Sequence, residues 1–143
     1  ALKTNQHLEQ LSLYNNNIGY QGVVALANLL KVNSSLLSFN LGGNDIQDKG
    51  AVAIAEALST NCSTKLCHLD LNENGIGNLG AIALARALKK KTMPLESLKL
   101  TCNRIGNAGA CALANALKVN KMLNEIVLDG NKIGNPGVRS LLG

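Results

Sequence analysis

The chain has 143 residues, 46% of them apolar and only 2% aromatic, and carries a formal net charge of +5. That balance fits thin repeated layers of Leu, Ile, Val and Ala rather than one bulky centre, and the length bounds the chain to one domain. No stretch is long and apolar enough to span a membrane and no signal peptide opens the chain, so neither membrane insertion nor a secretory leader is expected.

Residues 1–7 read as the tail of a helix, because Ala1, Leu2, Lys3, Thr4 and Asn5 restate Ala116, Leu117, Lys118, Val119 and Asn120. One pattern then recurs from Leu8, Leu36, Leu66, Leu95 and Leu123, at spacings of 28 to 30 residues. A fixed period of this length marks a repeat array, so residues 1–143 are expected to form a single domain of about five repeats. Each copy opens as L-x-x-L-x-L, clearest in Leu95, Leu98 and Leu100, with Phe39 standing in for a leucine in the second copy. The alternation predicts a short, half-buried strand that sends Leu98 and Leu100 inward while Ser97, Lys99 and Thr101 face water.

After each strand comes an asparagine: Asn16, Asn44, Asn74, Asn103 and Asn131. An amide side chain offers donors and an acceptor, so stacked copies are expected to form a structural ladder that satisfies otherwise buried turn groups. Next, Ile105 turns back to the core, and Gly106 with Gly109 leads into a helix; in the second copy Gln47 follows Ile46 where glycine is expected. Leu113 and Leu117 share one helix face, and Ala27, Ala55, Ala85 and Ala114 allow close packing. The helices end in Lys31, the run Lys89, Lys90, Lys91, and Lys118, cations that suit the negative end of a helix dipole. Neither aromatic residues nor a glycine-rich cradle accompanies the run, so nucleic acid is not an expected partner. The chain closes at Leu141, Leu142 and Gly143, midway through a fifth helix, and Arg139 stands where earlier helices carry Val24, Val52, Ile82 and Cys111. Neither end looks like a capping repeat, so the chain is expected to be a piece of a longer array, and self-association through uncapped ends is a further expectation.

A strand, turn and helix in every copy, with the next strand parallel, requires right-handed crossovers. The fold expected is an α/β solenoid with parallel strands on the concave face and helices on the convex face. The pattern L-x-x-L-x-L-x-x-N-x-I-G-x-x-G-x-x-x-L-A-x-A-L over residues 8 to 143 resembles the ribonuclease-inhibitor-like class of leucine-rich repeats, whose fold is a horseshoe. Segments such as Ala112 to Asn120 are most similar to the repeat arrays of NLR-type (nucleotide-binding leucine-rich-repeat) proteins. That resemblance implies a non-enzymatic protein-protein interaction module in the cytoplasm. The chain holds no G-x-x-x-x-G-K-[ST] phosphate loop. The alternative implied by the family is a GTPase-activating protein of the Ran-activator type, with Arg104 or Lys132 offering a basic group after the ladder asparagine.

A partner is expected on the concave positions, chiefly Tyr14, Asn40, His68, Asp70, Asn72, Glu73, Lys99, Thr101 and Asp129. These vary from copy to copy, as if packing did not dictate them. Their acids suggest a protein partner with a basic surface, and Tyr14 is the expected aromatic anchor. His7 and His68 lie far apart in the sequence and no nucleophile joins His68 to Asp70, so no catalytic residue is expected. Cys62, Cys67, Cys102 and Cys111 lack metal-ligand spacing and read as free thiols; no metal and no cofactor is expected. Asn33-Ser34-Ser35 and Asn61-Cys62-Ser63 fit the glycosylation triplet, a pattern that arises often by chance.

Overall fold

In the computed structural model, which describes residues 1–143, a short strand and a helix alternate five times. The order is β1 (Gln10–Ser12), α1 (Gly19–Leu30), β2 (Ser38–Asn40), α2 (Gln47–Thr60), β3 (His68–Asp70), α3 (Asn78–Leu88), β4 (Ser97–Lys99), α4 (Asn107–Leu117), β5 (Glu125–Val127) and α5 (Asn135–Leu142). The strands form one open parallel sheet, β1-β2-β3-β4-β5, in which Leu11, Phe39, Leu69, Leu98 and Ile126 stand in register. These middle residues point toward the helices, and Phe39, Leu69 and Leu98 are fully buried. Strands lie about 4.8 Å apart while packed helices need about 8–10 Å, so the sheet is the inner side of the bend and the helices the outer.

One apolar cluster runs through the whole stack from Val23 to Ala116. Within each layer a helix packs only against the helices before and after it and a strand only against its neighbouring strands, so no repeat touches one beyond its immediate neighbours. Small residues set the helix spacing. A β-carbon on Gly80 would stand 2.9 Å from Ala51 Cβ, and one on Gly109 would stand 3.0 Å from Ala81 Cβ. These glycines are therefore kept bare by the preceding helix, in addition to any part they play in entering the turn.

The turn after each strand carries a left-handed residue at one fixed position: Asn15 (φ 56°), Gly43 (67°), Glu73 (55°), Cys102 (54°) and Gly130 (67°). A second turn geometry divides the stack. In the last three repeats Gly77, Gly106 and Gly134 are extended, whereas Gly19 and Gln47 adopt φ of 62° and 56°. The cause is a side chain one repeat earlier. The Oδ1 atoms of Asp48, Asn78 and Asn107 accept the amides of Gly77, Gly106 and Gly134 at 2.8 to 2.9 Å. Tyr20 occupies that position before Gln47 and supplies no amide or carboxylate, so Gln47 turns left-handed and its amide meets the Asn74 carbonyl at 2.9 Å.

Ser97 departs from expectation. It is buried, 7% exposed, because its hydroxyl lies against the next strand and donates to Glu125 Oε2 at 2.5 Å. The alternation correctly assigns Ser97 to the sheet's outer face, but it carries no information about a long acidic neighbour folding over that position.

Candidate functional site

The parallel register places three polar rows on the sheet face opposite the helices. The first contains Gln10, Ser38, His68, Ser97 and Glu125, and the second Ser12, Asn40, Asp70, Lys99 and Val127. Two residues further on in each repeat come Tyr14, Gly42, Asn72, Thr101 and Asp129. Four of the nine residues expected at the surface, Asn40, His68, Asp70 and Lys99, meet in a shallow cleft of about 290 Å³ completed by Ser38, Ser97 and Glu125. Glu73 lies apart from them, on a rim groove of about 700 Å³ with Asn15, Asp45, Cys102 and Arg104.

Several face residues also hold the backbone. Asp70 Oδ1 accepts the Asn72 amide at 2.9 Å, Asn40 Oδ1 accepts the Gly42 amide at 2.9 Å, and Asn72 Oδ1 accepts the Thr101 amide at 2.7 Å. Packing therefore dictates part of a surface that the sequence presents as free, and Asp70 is half-buried rather than fully exposed. Asp129, Lys99 and His68 are exposed. Tyr14 is 49% exposed, its ring lies across Gly42, and its hydroxyl reaches Glu73 Oε1 at 3.4 Å. A β-carbon on residue 42 would stand 2.9 Å from Tyr14 Cδ2, so the glycine is what lets the ring lie along the sheet. The face and its rim hold four carboxylates (Asp70, Glu73, Glu125 and Asp129) against two cations, Lys99 and the Arg104 that shares the rim groove with Glu73, on a chain of net charge +5.

Beneath this face run the ladder asparagines. Asn74 donates to the carbonyls of Leu41 and Asn72 and accepts the amides of Asn44 and Ile46; Asn44 and Asn103 repeat the arrangement. Asn131 donates to Leu100 and Leu128 and accepts from Ile105, while Asn16 donates only to Leu13 and Tyr14. Two further ladders escape a reading of strands alone. Asp48, Asn78 and Asn107 each accept two amides from the first turn of the next helix, such as those of Gly77 and Gly80 at 2.8 and 2.7 Å for Asp48. These are the amides that a capping box would otherwise satisfy from within the helix. The recurring D/N-x-G of Asp48, Asn78 and Asn107 is the signal for it.

Asn33, Asn61 and Asn120 form the third ladder at 2.7 to 3.3 Å, Asn61 and Asn120 donating to carbonyls at or just past the end of the preceding helix and Asn33 to those of Leu2 and Asn5 in the opening turns. Here the sequence signal is an asparagine three residues after the last helical leucine. In the repeat that lacks it, Lys90 Nζ donates to Ser59 O instead. Burial of Asn33 and Asn61, with both amide nitrogens engaged, closes the two glycosylation triplets in the folded chain. Cys67 is pushed above the ordinary thiol pKa, first by desolvation and then by the nearby Glu96 carboxylate. No group of three His, Cys, Asp or Glu side chains is placed to hold a metal ion, and no helix is long and apolar enough to cross a membrane.

Five segments, 4–27, 32–55, 62–85, 93–114 and 119–142, match the family model described as leucine-rich repeat. The mouse (Mus musculus) NACHT, LRR and PYD domains-containing protein 5 is 33% identical over 141 residues, which is 99% of this chain and 12% of that protein. Among solved structures, that titled Leiomodin-1 Actin-Binding Site 2 superposes with a TM-score of 0.80 at 25% identity, over 99% of this chain and 83% of the other.

Proposed function

This chain belongs to the leucine-rich-repeat family, and from that premise we propose that it is a protein-interaction module whose working surface is the polar sheet face. The observation that carries the reading is the segregation of charge: Asp70 and Glu125 line the cleft, and Glu73 and Asp129 stand elsewhere along the one face no helix covers, on a chain of net charge +5. Such a face attracts a cationic protein segment and repels acidic ones, giving selectivity as well as encounter rate. Tyr14, held flat by Gly42, supplies rigid contact area beside the acids. Binding here needs no catalytic group, and the ribonuclease-inhibitor-like architecture and cytoplasmic setting implied by the sequence resemblance fit the same role. The solved relative is titled as an actin-binding site, which supports protein recognition by this kind of array.

The test is capture of partners from a cell lysate by the wild-type chain and by the double variant Glu73→Lys, Asp129→Lys. Both side chains are exposed and neither accepts a backbone amide, so the folded state is retained. Loss of a partner in the variant, together with weakening of wild-type binding as salt rises from about 0.1 to 0.5 M, is the expected result. Retention of every captured protein would refute the sheet face as the site. A captured GTPase whose hydrolysis falls on Arg104→Ala would replace this reading with the GTPase-activating one.

A further inference from the structure

The loops that lead from each helix to the next strand share one edge of the stack. The amides of Cys67, Glu96 and Asn124 donate to the carbonyls of Leu37, Cys67 and Glu96 at 2.7 to 2.8 Å, which lays the loops 31–37, 61–67, 89–96 and 118–124 side by side. They carry Lys31, Lys65, Lys89, Lys90, Lys91, Lys118 and Lys121, all exposed, against one carboxylate, the half-buried Glu96. The edge thus holds an excess of six positive charges on a chain whose net charge is +5, and the remainder of the molecule is slightly acidic.

The fold accounts for only part of this charge. Lys31, Lys89 and Lys118 cap helix C-termini, where a cation suits the dipole, and Lys90 donates to Ser59 O. Lys65, Lys91 and Lys121 stand outside the last turn of any helix, where no dipole favours them. Three aliphatic side chains follow directly after lysines on the same edge and remain in water: Val32 is 56% exposed, Val119 59% and Met122 44%. The amides of Val32 and Val119 donate to Leu29 O and Ala116 O at 3.1 Å, so an ordered turn fixes their outward placement.

Cations interleaved with single aliphatic side chains suit an anionic bilayer surface. The ammonium groups meet lipid phosphates and carboxylates while the aliphatic groups enter the headgroup layer. Lysine is a point charge on a flexible stem and makes no demand for the fixed bidentate geometry of a folded acidic partner. Two loops separate Val32 from Val119 and Met122, too wide a spread to form one pocket for a peptide anchor. Single-stranded nucleic acid calls for aromatic or guanidinium stacking platforms, and these four loops contain no Phe, Tyr, Trp or Arg.

We propose that this edge docks on an anionic membrane surface, with no helix inserted. Lys65, Lys91 and Lys121 bind phospholipid headgroups beside the helix-capping lysines, and Val119 and Met122 seat among them. The polar sheet face is not part of this edge and stays open to a protein partner.

Co-sedimentation with vesicles of phosphatidylcholine alone, or with about 30% phosphatidylserine added, reads the docking. The wild-type chain is expected to partition onto the anionic vesicles only, and to be released as salt rises from about 0.1 to 0.5 M. Each lysine close to an anionic surface contributes about fivefold, so Lys91→Gln with Lys121→Gln should lower partitioning by about 25-fold. Lys49→Gln with Lys132→Gln removes the same net charge from exposed positions elsewhere and should lower it by less than about twofold. The chain has no tryptophan, so Met122→Trp reports on that position alone; its emission is expected to shift to the blue on anionic vesicles and to stay unchanged with phosphatidylcholine. A wild-type chain that ignores anionic vesicles, equal losses from the two lysine pairs, or an unshifted emission on vesicles that carry the Met122→Trp chain would each overturn the proposal. Binding of a polyglutamate peptide that Lys91→Gln with Lys121→Gln abolishes, without vesicle binding, would replace it with an acidic protein partner.

Discussion

Replacing Asn74 with alanine strikes the middle of the ladder, where the side chain is 1% exposed and makes four hydrogen bonds. Two are donated, to the carbonyls of Leu41 and Asn72, both at 2.9 Å; two are accepted, from the amides of Asn44 at 3.0 Å and Ile46 at 3.2 Å. At about 1 kcal/mol net per bond the loss is about 4 kcal/mol, a large share of the roughly 5–15 kcal/mol that holds an ordinary domain together. Asn16→Ala removes only two bonds, from an exposed residue with nothing on its carbonyl oxygen, and should cost less than about 1 kcal/mol. Asn74→Asp keeps the acceptor but sets a buried carboxylate oxygen against the Leu41 and Asn72 carbonyls, so it should cost at least as much as alanine. Urea unfolding followed by far-ultraviolet circular dichroism is the assay. With a slope of about 2 kcal/mol per molar, the midpoint for Asn74→Ala should drop by about 2 M, and that for Asn16→Ala by under about 0.5 M. Equal shifts at the two positions, or a shift below about 0.5 M at Asn74, would refute the assignment of stability to amide bonds between repeats.

Gly80→Ala should destabilise by about 2 kcal/mol, since the added methyl would stand 2.7 Å from Ile76 Cγ2 and 2.9 Å from Ala51 Cβ and must force α2 and α3 apart; a thermal melt reads it. Glu73→Gly should stabilise by about 0.5–1 kcal/mol, raising the melting temperature by a few degrees, because the residue sits at φ 55°. Glu73→Val should lower it, the branched side chain being poorly tolerated there. For Cys67 the folded chain keeps the thiol proton at pH values where the unfolded chain has released it. Its contribution to stability is therefore complete below the unfolded thiol pKa and is lost as pH rises through the folded one. The pH midpoint of Cys67 alkylation, followed by mass spectrometry, should lie higher in native buffer than in urea; coincident midpoints would remove the desolvation account.

The distance over which each interaction acts decides what can be read early. Strand alternation, the helix's leucine pair and the repeat period are local or strictly periodic, and they place Tyr14, His68, Lys99 and Asp129 on the sheet face before any coordinates are seen. The ladder residues are legible as repeated letters, though their partners are not: Asn44 Nδ2 reaches Leu13 O 31 residues back, and Asp48 Oδ1 reaches the Gly80 amide 32 residues ahead. Ser97 shows the same limit on the surface itself, since Glu125, the residue that buries it, belongs to the next strand.

By itself, then, the sequence determines that these residues stack as β-α repeats with one apolar layer, because burying a leucine at fixed intervals is a property of each repeat's own letters. Only the tertiary structure decides which amide caps which helix, that Gln47 turns left-handed because the preceding repeat offers Tyr20 in place of an acceptor, and that Asp70 supports the Asn72 amide as well as facing outward. The physical reason is that hydrophobic burial is non-directional and survives as a pattern, whereas a hydrogen bond exists only when two particular groups are brought within about 3 Å at the right angle.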